Sequence, residues 1–241
     1  MAFLRGIRRL LAWALALAVT AALGLAVILP GMEPADLPWA PLDLDAPLGR
    51  ATAGKIAGLD GTACRALLDT ARIAYRTLPA VARGECGYDD AVSWAPGGLR
   101  HLAYSPARPT LACPLAASLA VWEREVVQPA AEAIMGSRVV RIDHFGTYAC
   151  RRMYGRSTGG WSQHAAARAI DVAGFRFADG TRVTVAGDWP GTDKAARFLH
   201  AVREGACRAF TTTLSPDYNA AHRDHFHLDD TDRGGMWSAC R

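Results

Sequence analysis

Polarity changes character several times along the chain. Arg5, Arg8 and Arg9 precede an uncharged run from Leu10 to Leu29, and about 20 apolar residues suffice to cross a bilayer as a helix. Prolines at 30, 34, 38, 41 and 47 follow; they oppose helix and predict an extended spacer. Helical spacing then returns in "DGTACRALLDTARIAYRTL", where Leu67, Leu68, Ala71 and Ala74 follow a cap at Asp60 or Thr62. A longer helix is expected after Pro114, because Leu115, Leu119, Trp122, Val126 and Ala130 recur at three- and four-residue steps, with Pro129 expected to kink it. Beyond Gly136, "RVVRIDHF" and "AIDVAGFRF" are rich in β-branched and aromatic residues, and "ADG" before "TRVTVAG" marks a hairpin. Asp193 to Glu204 reads as a helix ended by Gly205. "DHFHLD" reads as a strand with His225 and His227 on one face.

These patterns divide the chain into a basic cytoplasmic leader (1–9), a transmembrane anchor or signal segment (10–29), a proline-rich spacer (30–57) and one folded domain (58–241). Helices first and strands later predict an α+β fold. Its N-terminal helices would pack on a small, mainly antiparallel sheet, preceded by one transmembrane helix. The length of the apolar run favours an uncleaved anchor over a cleaved signal. Arginines before it favour a cytoplasmic N-terminus, and in either case the domain is exported.

The net charge of +4 comes almost wholly from arginine, since Lys55 and Lys194 are the only lysines and several arginines lie in the leader. No nucleic-acid partner is expected, because that would require basic residues gathered on one face. The six cysteines, Cys64, Cys86, Cys113, Cys150, Cys207 and Cys240, all follow the apolar run. In an oxidising compartment their even number predicts up to three disulfides, with the pairing open. No CxxC pair is present, which argues against a thiolate zinc ribbon.

Two of the stretches assigned to strands also carry chemistry. "SQHAAARAIDVAG" places Asp171 seven positions after His164, and "AHRDHFHLDD" packs His222, Asp224, His225 and His227 together. A catalytic zinc takes three protein ligands from His, Asp and Glu and leaves the fourth position to water. His164, Asp171 and one histidine of "DHFH" could supply that set.

"SQHAAARAID" resembles the zinc motif of the D-alanyl-D-alanine carboxypeptidase and dipeptidase metallopeptidases, and "DHFH" resembles their second motif. The lysostaphin-type enzymes and Hedgehog-like domains belong to the same wider group. More closely, the run from about Cys64 onward resembles the bacterial extensin-like C-terminal domain family through "ACPLA", "HFGTYACRR", "WSQHAAARAIDVAGF", "ARFLHAVREGAC" and "LSPDYNAAHRDHFHLD". The resemblance implies that His164, Asp171 and His227 hold Zn2+, so that the sheet carries a zinc site. Asp224 stands where these peptidases place an acidic general base, and His225 is the alternative, since lysostaphin-type enzymes use the first histidine of a His-x-His pair. In a regular strand Asp224 would face away from His225 and His227, so a bulge or turn would be needed to bring it in. Arg151 or Arg152 resembles an arginine directed at substrate, able to hold a carboxylate or polarise a carbonyl. Ser162 is expected to orient the site or cap a turn, His222 to support a ligand from outside the coordination sphere, and Trp161 to lie in the core or line a groove. His101, His144 and His200 read as structural or exposed. Ala167 stands where the peptidases usually have glycine.

The resemblance implies a zinc peptidase acting on D-Ala-containing stem peptides of peptidoglycan, from a periplasmic domain held at the bacterial inner membrane by the N-terminal helix, or secreted to the periplasm after signal cleavage. A non-catalytic, zinc-stabilised module that binds cell-wall or envelope material is the alternative.

Overall fold

The computed structural model describes residues 2–28, 31–98, 102–231 and 238–241. Helix α1 spans Ala2–Ile28. Its Arg5–Leu25 window is long and apolar enough to cross a membrane, and a signal sequence near the N-terminus would have the same character. None of that window is covered by the rest of the protein.

The folded part begins earlier than the proline pattern predicts. Within the expected 30–57 spacer, Leu44, Leu48 and Ile56 lie in the core, and its last residues form helix α2, Thr52–Ala57. Prolines prevent regular structure locally, yet they do not stop the leucines between them from leaving water. Arg124 fastens this segment through the Asp45 carboxylate at 3.2 Å and the Ala46 carbonyl at 3.0 Å.

Helix α3, Gly61–Thr70, opens on Asp60, whose carboxylate accepts from the Thr62 and Ala63 N–H groups at 2.8 Å. It is shorter than the spacing predicts. The chain turns at Arg72 with φ 55, and "IAYRT" becomes strand β1, Ile73–Thr77, where β-branched and aromatic side chains outweigh the helical spacing of Ala74. β2, Val81–Arg83, and β3, Cys86–Tyr88, form a hairpin, while β4, Val92–Gly98, pairs antiparallel with β1. β5 is Ala103–Ser105. Strands and helices are therefore interleaved, in place of the expected helices first and strands later.

Helix α4, Cys113–Trp122, is buried on almost every side. Its path continues through π-type turns at Glu123–Val127 and Ala131–Met135, on either side of α5, Gln128–Ala130. Pro129 has no N–H for the preceding turn, and the wider turns accommodate that loss. After them come β6 (Val139–His144), β7 (Ala169–Phe177), β8 (Arg182–Thr184), α6 (Val185–Asp188), α7 (Lys194–Ala209), β9 (Thr212–Leu214), β10 (Phe226–Asp229) and β11 (Ala239–Cys240). α7 passes straight through Gly205, the expected helix end. A Cβ there would lie 2.2 Å from Val126 Cγ1, so this glycine permits close approach of two helical segments and does not terminate one.

The main sheet has the order β11-β9-β10-β7-β6-β5, with β8 paired to the far end of β7. It is mainly antiparallel as expected, with parallel pairs at its two edges, β11 with β9 and β5 with β6. In β7, Val172 registers with His144 and Gly174 with Asp143, leaving Ala173 as a bulge. That extra residue shifts the alternation, so Ile170 and Val172 before it and Phe175 and Phe177 after it all join the core. Asp171 points to the opposite face. Trp122 and Phe198 meet Phe175 from the helical layer, and the Trp122 indole N–H donates to the Val202 carbonyl at 2.9 Å. The cysteines pair as Cys64–Cys113, Cys86–Cys150 and Cys207–Cys240.

Candidate metal centre

Asp171 and His227 stand directly opposite each other in the β7–β10 ladder. Cross-strand partners share a face, and His227 Nδ1 comes within 2.9 Å of Asp171 Oδ1. His164 arrives from the short helical turn Gln163–Ala166 that leads into β7. Ala167, at φ 56, closes this turn in the left-handed conformation that favours glycine. His164 Nε2 thereby lies 3.1 Å from Asp171 Oδ2. One ligand atom from each of His164, Asp171 and His227 falls within 4.8 Å of the others, so the three could hold a metal ion.

The hydrogen bonding of His164 bears on that possibility. Its Nδ1 is 2.9 Å from the Thr147 carbonyl oxygen, which can only accept, so the proton sits on Nδ1 and Nε2 presents a lone pair. Nε2 is buried and has no hydrogen-bond partner despite its nearness to Asp171. A lone pair facing a carboxylate at that distance is repulsive unless a proton or a cation stands between them. His227 Nε2 lies 3.2 Å from Asp229 Oδ2, and Asp229 in turn accepts from the Thr231 N–H and hydroxyl. Outer carboxylates of this kind set the orientation of a ligating imidazole.

Electrostatics follow the geometry. Burial disfavours the Asp171 carboxylate, but the neighbouring His164 and His227 imidazoles outweigh it and hold the group well below the ordinary range. Burial likewise disfavours a charged His227, and its bonds to Asp171 and Asp229 reverse this, raising it to about 9. His222 is pushed down to about 4, by burial first and then by His225 and His227.

His225 stands just before β10, after a turn closed by its N–H on the His222 carbonyl at 3.4 Å. Its Nε2 is 3.6 Å from Asp171 Oδ1, and its Nδ1 is 2.9 Å from Asp224 Oδ1. No bulge turns Asp224 inward. His225 lines the cleft over the cluster, whereas Asp224 bonds the nitrogen of His225 that points away from Asp171. Arg151 Nη2 is 3.9 Å from Asp171 Oδ2 and lines the same cleft. Arg152 is engaged elsewhere, stacked 4.3 Å over Trp161 and bonded to the Gly159 carbonyl. The cleft has a volume of about 460 Å³, and Trp161 and Ser162 line it. Trp161 thus belongs to the groove, and the Ser162 hydroxyl caps nothing.

The remaining histidines divide as follows. His222 bonds Asn219 Oδ1 at 2.8 Å and packs its ring 5.3 Å from His225, without a hydrogen bond to His164, Asp171 or His227. His144 is buried against the Pro106 carbonyl at 2.9 Å, and His200 packs on Trp189. His101 lies outside the described residues. Sequence reasoning passed over Asp229, although its place two residues after His227 puts it on the same face of β10. It also passed over Tyr154 and Tyr218 on the rim, which stand in polar segments with no periodicity to mark them.

A family model described as the extensin-like protein C-terminus matches residues 62–241. The chain belongs to that family. Comparisons with curated proteins and with solved structures return no match. The extensin-like match takes in every residue of the cluster and all three disulfides. It starts after the buried segment from Leu44 to Ala57.

Proposed function

We propose that this extensin-like protein is a zinc-dependent peptidase that acts on D-Ala-containing amide bonds of peptidoglycan stem peptides. Its domain would face the periplasm, held to the inner membrane by α1. The observation that carries the reading is the convergence of two imidazoles and a carboxylate on an open cleft, with His164 Nε2 left bare, because this donor set suits zinc with a free fourth position. The likeness of "SQHAAARAID" and "DHFH" to the peptidase motifs agrees with it.

His164, Asp171 and His227 would hold the ion, which when bound would polarise the scissile carbonyl and lower the pKa of a water to about 7. His225 Nε2 takes the proton of the attacking water and returns it to the leaving amine. Asp224 supports that exchange by accepting a hydrogen bond from the Nδ1–H of His225, which keeps Nε2 toward the cleft. Arg151 turns its guanidinium to the carbonyl oxygen as negative charge develops there. Asp229 keeps His227 oriented, and His222, neutral at physiological pH, leaves the cleft without an added charge.

The test is digestion of purified muropeptides by the zinc-loaded full-length protein in detergent, followed by mass spectrometry. Shorter stems are expected. Intact stems at one equivalent of bound zinc would overturn the peptidase reading and favour a zinc-stabilised binding module.

A further inference from the structure

Large apolar side chains on the surface of the folded domain are few, and they gather in one place. Among the described residues after α1 and the N-terminal segment, those strongly exposed are Phe145 (61 %), Met153 (50 %), Tyr154 (52 %) and Tyr218 (44 %). All four surround the candidate centre. Met153, Tyr154 and Tyr218 line its cleft, and Phe145 stands with its ring 5.7 Å from that of His225. Soluble domains rarely leave such a cluster uncovered without a use.

Tyr154 and Tyr218 come from two separate segments that line the cleft. Tyr154 sits in the segment between Arg152 and Trp161, and Tyr218 in the one that leads to His222. Both rings approach His222, at 6.5 Å and 5.5 Å, and Asn219, next to Tyr218, reaches the Tyr154 hydroxyl with Nδ2 at 3.5 Å. Tyr154 holds its exposed ring there from a left-handed backbone, φ 57, a conformation that a tyrosine adopts only at a cost.

Chemistry narrows what this rim would take. A purely apolar group would ask for a closed apolar pocket. Here the rings are open to water, edged by hydroxyls and by guanidinium groups, Arg156 over Tyr154 at 5.4 Å and Arg241 in the same cleft. A pyranose matches that pattern, with one face of C–H groups for a ring and an edge of hydroxyls for polar partners. The cationic side chains suit a ligand that also carries carboxylates, since Asp171 and Asp229 are already matched by imidazoles.

We propose that Tyr154 and Tyr218 form a saccharide-binding subsite beside the metal centre, so that the substrate is a stem peptide still joined to its glycan. This rests on the peptidase reading for the substrate's peptide part. Its test therefore separates binding from cleavage.

The probes are a disaccharide-linked stem peptide and the same peptide freed of sugar. Equilibrium affinities are measured by calorimetry on zinc-loaded full-length His225→Gln protein, and turnover of both probes is followed with the wild type. Two stacked rings predict about tenfold tighter binding of the disaccharide-linked probe. Tyr154→Ala and Tyr218→Ala should each shrink that ratio toward one, whereas Tyr154→Phe and Tyr218→Phe, which keep the rings, should retain most of it. Equal affinity for the two probes would overturn the subsite, as would alanine variants that weaken both probes by one factor. Tighter binding of the sugar-linked probe with no cleavage of either would uphold the subsite and sink the peptidase reading. Cleavage of both probes with no preference would do the reverse.

Discussion

At the scale of single residues, the centre depends on which nitrogen each imidazole presents. His164 offers Nε2 because the Thr147 carbonyl holds its Nδ1 proton, and His225 offers Nε2 to the cleft because Asp224 holds its Nδ1. Removing His225 should lower turnover by about 10²-fold to 10⁴-fold, the usual contribution of a general base. Asp224→Asn should cost less, about 10-fold to 100-fold, since it disturbs only the support of that base. Both variants should retain one zinc by elemental analysis, whereas His164→Ala or Asp171→Asn should lose it; an Asp224→Asn effect as large as that of His225→Ala would make Asp224 the base. The cluster of His164, Asp171 and His227 was readable through the resemblance of the two motifs that carry it, and the period of two already placed His225 with His227. That His225 lines the cleft and Asp224 does not was not readable, because it turns on where β10 begins, and strand ends leave little trace in apolar periodicity.

Among the elements, small residues were misread most, because local signals carry no knowledge of what packs against them. Gly205 has the look of a helix stop, but α7 runs through it and brings it against Val126. Alanine is favoured over glycine inside a helix by about 1 kcal/mol, so a terminator or a neutral position would tolerate Gly205→Ala. The 2.2 Å approach to Val126 Cγ1 predicts the opposite: overpacking should destabilise by about 1–3 kcal/mol, seen as a lower Tm. A buried arginine–aspartate contact joins other elements. Arg168, at the start of β7, meets Asp230, at the end of β10, at 3.2 Å, and also donates to the Ala57 carbonyl at the end of α2. Burial raises the Asp230 carboxyl to about 7 against the pull of Arg168. The folded state then keeps a proton that the unfolded chain has released above pH 3.8. This contribution to stability is therefore complete below that value and is lost as pH rises through about 7, on the order of a few kcal/mol. Asparagine cannot ionise, so thermal melts should show the advantage of wild type over Asp230→Asn shrinking as pH climbs from 4 to 8. A constant gap across that range would remove Asp230 as the source.

Over the whole molecule, two of the three disulfides tie down segments that line the cleft. Their presence was legible in the even cysteine count, but their pairing was not, because it depends on which distant segments the topology brings together. The same limit hid the buried stretch from Leu44 to Ala57, where the proline pattern of the segment describes its backbone and says nothing of its contacts. Cys64–Cys113 ties α3 to α4 within the helical layer. Cys86–Cys150 fastens β3 to the residue just before Arg151, and Cys207–Cys240 fastens α7 to the edge strand β11, whose neighbour Arg241 lines the cleft. Sequence separations of 64 and 33 residues make each of the latter two worth about 4 kcal/mol by loop closure. On stability alone the two would be nearly interchangeable. Position distinguishes them, because freeing Cys150 releases Arg151, the group turned toward Asp171 and assigned to the reacting carbonyl, whereas freeing Cys240 loosens only the rim. Cys86→Ala/Cys150→Ala and Cys207→Ala/Cys240→Ala should thus lower Tm by similar amounts. The first pair should depress kcat on muropeptides well below its temperature-matched control, and the second should act mainly on KM. If both pairs changed kcat and KM alike, the disulfides would serve the fold without positioning the site.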